Sequence, residues 1–207
     1  KNKLETVTVN AKRRAALERQ VKDFVYALAV KYWHDSLSRW NKPVCPRVGG
    51  LPREQGEFVL ARVSQVAKDS GIPLAAEDCR PNLYIIVTPD PTELLEKWWA
   101  RDRGMYDRRK GIGPIRAFIE SGQPIRAWYN MDFSGSDGSM ATTDTTGGTL
   151  GLPTLRIADP SRLNIASVKS YGSVVVIADA DCVKSLTMGQ LADYVTFIGL
   201  AEVHLDA

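Results

Sequence analysis

Ser173-Val-Val-Val-Ile177, followed by the segment 188–203, decides the fold of this chain. The first stretch is a continuous apolar, β-branched run, the pattern of a strand covered on both faces of a sheet. The second places Leu191, Tyr194, Val195, Ile198 and Ala201 about one turn apart, which predicts a helix with one apolar stripe. Between them, Ala178-Asp-Ala-Asp-Cys182 reads as a strand end opening into a loop, and Thr187 is the expected N-cap.

Working outward, residues 82–88 (Asn-Leu-Tyr-Ile-Ile-Val-Thr) form a second buried strand. Asp90 and Pro91 open a helix through Trp98 and Trp99, as N-cap and first-turn proline. Pro52 begins another helix, with Phe58, Val59, Val63 and Val66 inward and Gly71 at its end. Residues 13–34 put Leu17, Val21, Phe24, Val25, Leu28 and Tyr32 on one helical face, with Asn10 available as a cap. Residues 36–51 read as a Pro- and Gly-rich connection pinned to the core by Trp40 and Cys45. A short helix is expected over 113–120 and an alternating strand over 124–131, with 154–157 returning to pair with it. Residues 132–152 are mostly Gly, Ser, Thr and Asp, a long polar loop or a floppy hairpin tip. Helices and strands so mixed predict one α+β domain over 11–207 with a small mixed sheet, preceded by a flexible strand-forming segment at 1–10.

The totals set bounds. A chain of 207 residues supports one sizeable core. Net charge of +3 is too slight to argue nucleic acid, and no apolar run reaches the ~18 residues of a membrane span. The chain starts at Lys1, which we read as a processed product. Cys45 and Cys79 both sit in rigid, proline-flanked settings suited to a bridge in an oxidising compartment, which leaves Cys182 as a buried thiol near the strand end; the competing reading is three unpaired cytosolic thiols. No cysteine pair has C-x-x-C spacing and only His34 and His204 offer imidazole, so we assign no metal and no cofactor.

The N-terminal stretch Leu4-Glu-Thr-Val-Thr-Val-Asn-Ala-Lys-Arg-Arg14 resembles the TonB box that begins mature TonB-dependent outer-membrane receptors. Alternating β-branched residues on a tail suit strand addition to a partner's sheet edge. The resemblance covers about ten residues, and the rest of the chain lacks the length and patterning of a receptor barrel. It implies an envelope location, exported with the signal peptide removed, periplasmic or associated with the outer membrane. It also implies partner binding by Glu5, Thr6, Val7, Thr8 and Val9. The partner expected is TonB or an outer-membrane barrel for which this chain is an accessory subunit, with membrane contact only through that partner. A second resemblance, to uncharacterised exported proteins of alphaproteobacteria, rests on Trp40 through Cys45-Pro46, Gly50-Leu51, Cys79-Arg-Pro-Asn82 and the C-terminal helix. It brings no activity with it and favours the Cys45–Cys79 bridge.

Catalytic readings are weaker. Gln190-Leu-Ala-Asp193-Tyr194 occupies the place where a zinc peptidase carries His-Glu-x-x-His, with every ligand position replaced, so kinship with such folds would be a metal-less one. Ser134, Ser136 and Ser139 lack the strand-to-helix elbow of a nucleophile. We therefore name no catalytic residue and expect a non-enzymatic interaction protein, against a peptidase-like hydrolase with an unrecognised site. Arg101, Arg103, Arg108, Arg109 and Lys110, near Trp98, Trp99 and Tyr106, form a candidate patch for an anionic ligand, diluted by Asp102 and Asp107.

Overall fold

The computed structural model describes residues 14–25, 27, 38–106, 111–135, 142–143, 153–154 and 167–203. A first helix, α1, covers residues 14–25. Then come β1 (Pro46–Gly49), α2 (Arg53–Asp69), β2 (Leu83–Thr88), α3 (Pro91–Arg101), a 3-10 turn (Arg103–Met105), α4 (Ile112–Ile119) and β3 (Ile125–Gly135). The short strands β4 (Thr142–Thr143) and β5 (Pro153–Thr154) precede β6 (Ser167–Asp179) and α5 (Met188–Leu200). This is an α+β domain around a four-stranded mixed sheet of order β1-β2-β6-β3. β1, β2 and β6 run parallel, and β3 runs antiparallel to β6.

β6 holds the centre because it has apolar side chains for both faces. Val174, Val176 and Ala178 join Leu83, Ile85 and Val87 of β2 beneath Val59, Val63 and Ala67 of α2 and Leu191, Ala192, Val195 and Ile198 of α5. On the opposite face Val175 and Ile177 meet Trp128 under Leu95, Ile115, Phe118 and Ile119 from α3 and α4. Helices on both faces explain why the run never alternates with polar residues. Local signals set the boundaries. Asp90 Oδ1 accepts from Glu93 N at 2.8 Å with Pro91 in the first turn of α3, and Thr187 and Gln190 form a full capping box on α5. Gly50 turns at φ +80°, and a Cβ there would fall 1.7 Å from the Val87 carbonyl oxygen, so the chain leaving β1 passes β2 as only glycine can.

Several expectations need correction. Pro46–Gly49, read as connection, is the edge strand β1; its four residues gain their order by pairing with Leu83–Ile86. Residues 132–135 continue β3, paired with Ser170 through Ser167, and do not belong to the loop. Between Asn130 and Met131 the register shifts and Gly172 is skipped, a bulge that admits the Asp132 carboxylate where a Cβ would stand. Pro153–Thr154 pairs with Thr142–Thr143, while the partner of β3 is β6. Residues 136–141 and 144–152 of the expected loop lie outside the described residues. Phe58 is exposed, since Val59, Val63 and Ala67 set the buried stripe of α2. Cys182 is exposed on the turn after β6.

Candidate interaction surface

α1 carries its apolar stripe on the outside. Leu17, Val21, Phe24 and Val25 are 61%, 53%, 56% and 42% exposed. The spacing i, i+4, i+7, i+8 predicts one apolar face, and that face does exist, yet it is not buried in the core. It meets the body where the ring of Phe24 lies against Phe197 of α5, centroids 6.3 Å apart. α5 is apolar nearly all round. Its inner side buries Leu191, Ala192, Val195 and Ile198, which leaves Tyr194 and Phe197 on its outer side, both substantially exposed. Tyr194 also lines a shallow groove of about 320 Å³ with Gln123, Pro124, Ile125, Leu186 and Gln190. Ile125 pairs with Ala178, so the groove lies at the carboxyl end of the parallel strands, where α/β sheets commonly leave a crevice. The Gln190 amide is committed, its Oε1 accepting from Thr187 N at 3.0 Å. The remaining lining can hold an apolar side chain and offers no carboxylate, imidazole or amine.

The sequence-predicted residues fall apart spatially or lie elsewhere. Glu5, Thr6, Val7, Thr8 and Val9 are outside the described residues, as are Arg108, Arg109 and Lys110. Arg101 and Arg103 are exposed, and the Arg103 guanidinium stacks 5.5 Å from the Trp99 ring centre. The neighbouring aromatics serve packing: Trp98 meets Tyr84 edge-on at 5.9 Å, and Trp99 meets Tyr106 at 5.6 Å. Burial, with the Glu96 carboxylate second, pushes the Tyr106 phenol up to about 12. Arg116 is engaged by Glu96, and Glu120 lies 4.0 Å away. The Cys45–Cys79 disulfide is present. In α5, Asp193 pairs with Arg62 of α2 and Tyr194 lines the groove. Among the described residues no group of three His, Cys, Asp or Glu side chains could hold a metal ion, and no helix is long and apolar enough to cross a membrane.

Sequence reasoning missed one buried polar cluster. Lys169 Nζ lies 3.4 Å from Glu202 Oε2, each side chain 8% exposed. Ser38 Oγ donates to the same oxygen at 3.1 Å, and Glu202 N donates to the Tyr171 hydroxyl at 2.7 Å. The Tyr129 hydroxyl donates to the Ile198 carbonyl at 2.7 Å and the Ala201 carbonyl at 3.2 Å. Burial holds both phenols well above the ordinary tyrosine range. These bonds tie the segment around Ser38 and the chain after α5 to β6. A lysine in Val168-Lys-Ser170 gives no sequence signal of burial, because a polar strand residue ordinarily faces water.

No family model matches this chain, and neither a curated protein nor a solved structure does so.

Proposed function

We propose that this protein is a non-enzymatic interaction module of the cell envelope, engaging its partner through its N-terminal arm. The observation that carries this reading is the apolar stripe of α1, left outside the core a few positions after residues 5–9 in the sequence. A helix that the domain does not cover presents apolar surface to something outside the domain, in the part of the chain that follows residues 5–9. The Cys45–Cys79 bridge is compatible with export to an oxidising compartment, periplasmic or at the outer membrane. Strand addition by Glu5, Thr6, Val7, Thr8 and Val9 would supply main-chain hydrogen bonds to a barrel protein or to TonB. Val7 and Val9 would then share one face, Thr6 and Thr8 the other.

The test is affinity purification from native envelopes in mild detergent. We expect the full chain to recover a barrel protein or TonB, and deletion of residues 1–10 to abolish recovery. Val7→Pro should do the same, since proline removes a ladder donor without changing charge. Unchanged recovery by both variants would end the strand-addition reading.

A further inference from the structure

We infer that the helix over residues 14–25 is a membrane-surface element, lying in the interface of an anionic bilayer with its apolar stripe toward the acyl chains. The inference does not rest on strand addition. It takes the same uncovered α1 stripe and commits it to lipid, and it would stand if residues 1–10 paired with nothing.

Charge is distributed unevenly along the chain. Residues 1–25 hold seven Lys or Arg against three Asp or Glu, a net +4. The other 182 residues hold twenty against twenty-one, a net −1, which accounts for the +3 of the whole. The mild overall figure therefore conceals a basic run in the first 25 residues, net +3 over residues 1–13 and net +1 over the helix itself (Arg14, Arg19 and Lys22 against Glu18 and Asp23). On α1, Leu17, Val21, Phe24 and Val25 span an arc of about 100° at 100° per residue. Lys22 flanks that arc and Arg19 opposes it with Asp23 on the same polar side, while Arg14 falls inside the arc by the same count and pairs with Glu18 at 3.2 Å. Lys12 and Arg13 precede the helix in sequence.

Interfacial helices need both of these features. Apolar surface alone binds weakly, and so does charge alone; together they give stable attachment to anionic lipid. A core helix would bury the stripe, and a partner-protein groove would need no basic excess. The body adds to the same surface. Phe197 touches Phe24, and Tyr194 follows on the outer side of α5, an aromatic with a polar tip of the kind that favours the headgroup level. Direct lipid contact differs from the sequence expectation that membrane contact runs only through a partner, and co-sedimentation with vesicles decides between them.

The experiment is co-sedimentation of the full chain with vesicles of mixed phosphatidylglycerol and phosphatidylcholine, compared with phosphatidylcholine alone. We expect binding to the anionic vesicles at least ~10-fold tighter, weakening as salt rises. Leu17→Gln with Val21→Gln should cut that binding ~10-fold or more by removing apolar area, and Arg19→Gln with Lys22→Gln by about tenfold. All four side chains are exposed, so thermal midpoints should hold. Equal binding to both vesicle types, or none to either, overturns the inference without any variant. So does a stripe variant that leaves vesicle binding intact while abolishing self-association or capture of a protein. Loss of vesicle binding together with intact partner recovery would remove this inference alone. Intact vesicle binding with lost recovery on deleting residues 1–10 would support both.

Discussion

Cys182 shows how exposure and reactivity separate at a single residue. It stands on the turn after β6, open to solvent. Its thiol is nonetheless held above its ordinary value, first by local desolvation and then by the Asp179 carboxylate, with Asp181 adding to it. Asp179 is fixed there because its Oδ1 accepts from Asp181 N at 2.8 Å and from Cys182 N at 3.3 Å. A raised thiol pKa leaves less thiolate at neutral pH, and the thiolate is the nucleophile. Alkylation of the unreduced protein should modify one thiol per chain, slowly, with a midpoint above that of an unperturbed cysteine. Asp179→Asn should lower that midpoint. A midpoint at or below the free-cysteine value in the unaltered chain would contradict the electrostatic account.

At the scale of elements, the capping box of α5 offers the cleanest stability test. Thr187 Oγ1 accepts from Gln190 N at 3.2 Å, and the Gln190 side chain returns a bond to Thr187 N. Thr187→Ala should destabilise by about 1 kcal/mol, measured by urea denaturation. A change under ~0.3 kcal/mol would mean that packing of Leu191, Ala192 and Val195 on the sheet sets the helix start unaided. The elements that sequence reasoning found share this trait of strong local chemistry. β6 and β2 are dense β-branched runs, and α3 and α5 begin at Asp-Pro and Thr-x-x-Gln signals. β1 was illegible because Pro46-Arg-Val-Gly49 has no pattern of its own; the ladder with β2 makes it a strand. The far half of β3 was illegible for the same reason, since Asp132-Phe-Ser-Gly135 follows a bulge and is ordered by the polar end of β6. α1 shows the other limit. Periodicity revealed its apolar face, but periodicity is silent on what that face meets.

On the scale of the whole molecule, the disulfide fixes how the two halves of the β1-α2-β2 unit close. Cys45 immediately precedes β1, and Cys79 lies shortly before β2. The bridge spans a sequence separation of 34, enclosing the whole of α2. A second clamp works beside it: Asn82 Oδ1 accepts from Cys45 N at 2.7 Å, while Asn82 Nδ2 donates to the Pro43 carbonyl at 3.0 Å. Both cysteines and Asn82 were visible in the sequence. The sequence also favoured the Cys45–Cys79 bridge, but the Asn82 clamp beside it was not legible, because it depends on two parallel strands starting side by side. In the chain-entropy view, closing a loop of this length stabilises by at most about 4 kcal/mol. The asparagine clamp persists on reduction, so the folded state should lose its entropic advantage but keep its local geometry. Reduction, or Cys45→Ser with Cys79→Ser, should therefore lower the urea midpoint by an amount worth about 2–4 kcal/mol. Adding Asn82→Ala to the reduced chain should cost a further ~1–3 kcal/mol, because it strips the partner from the Cys45 amide. An unchanged midpoint on reduction would mean that the β1-α2-β2 unit is closed as tightly by Asn82 and the β1–β2 ladder alone.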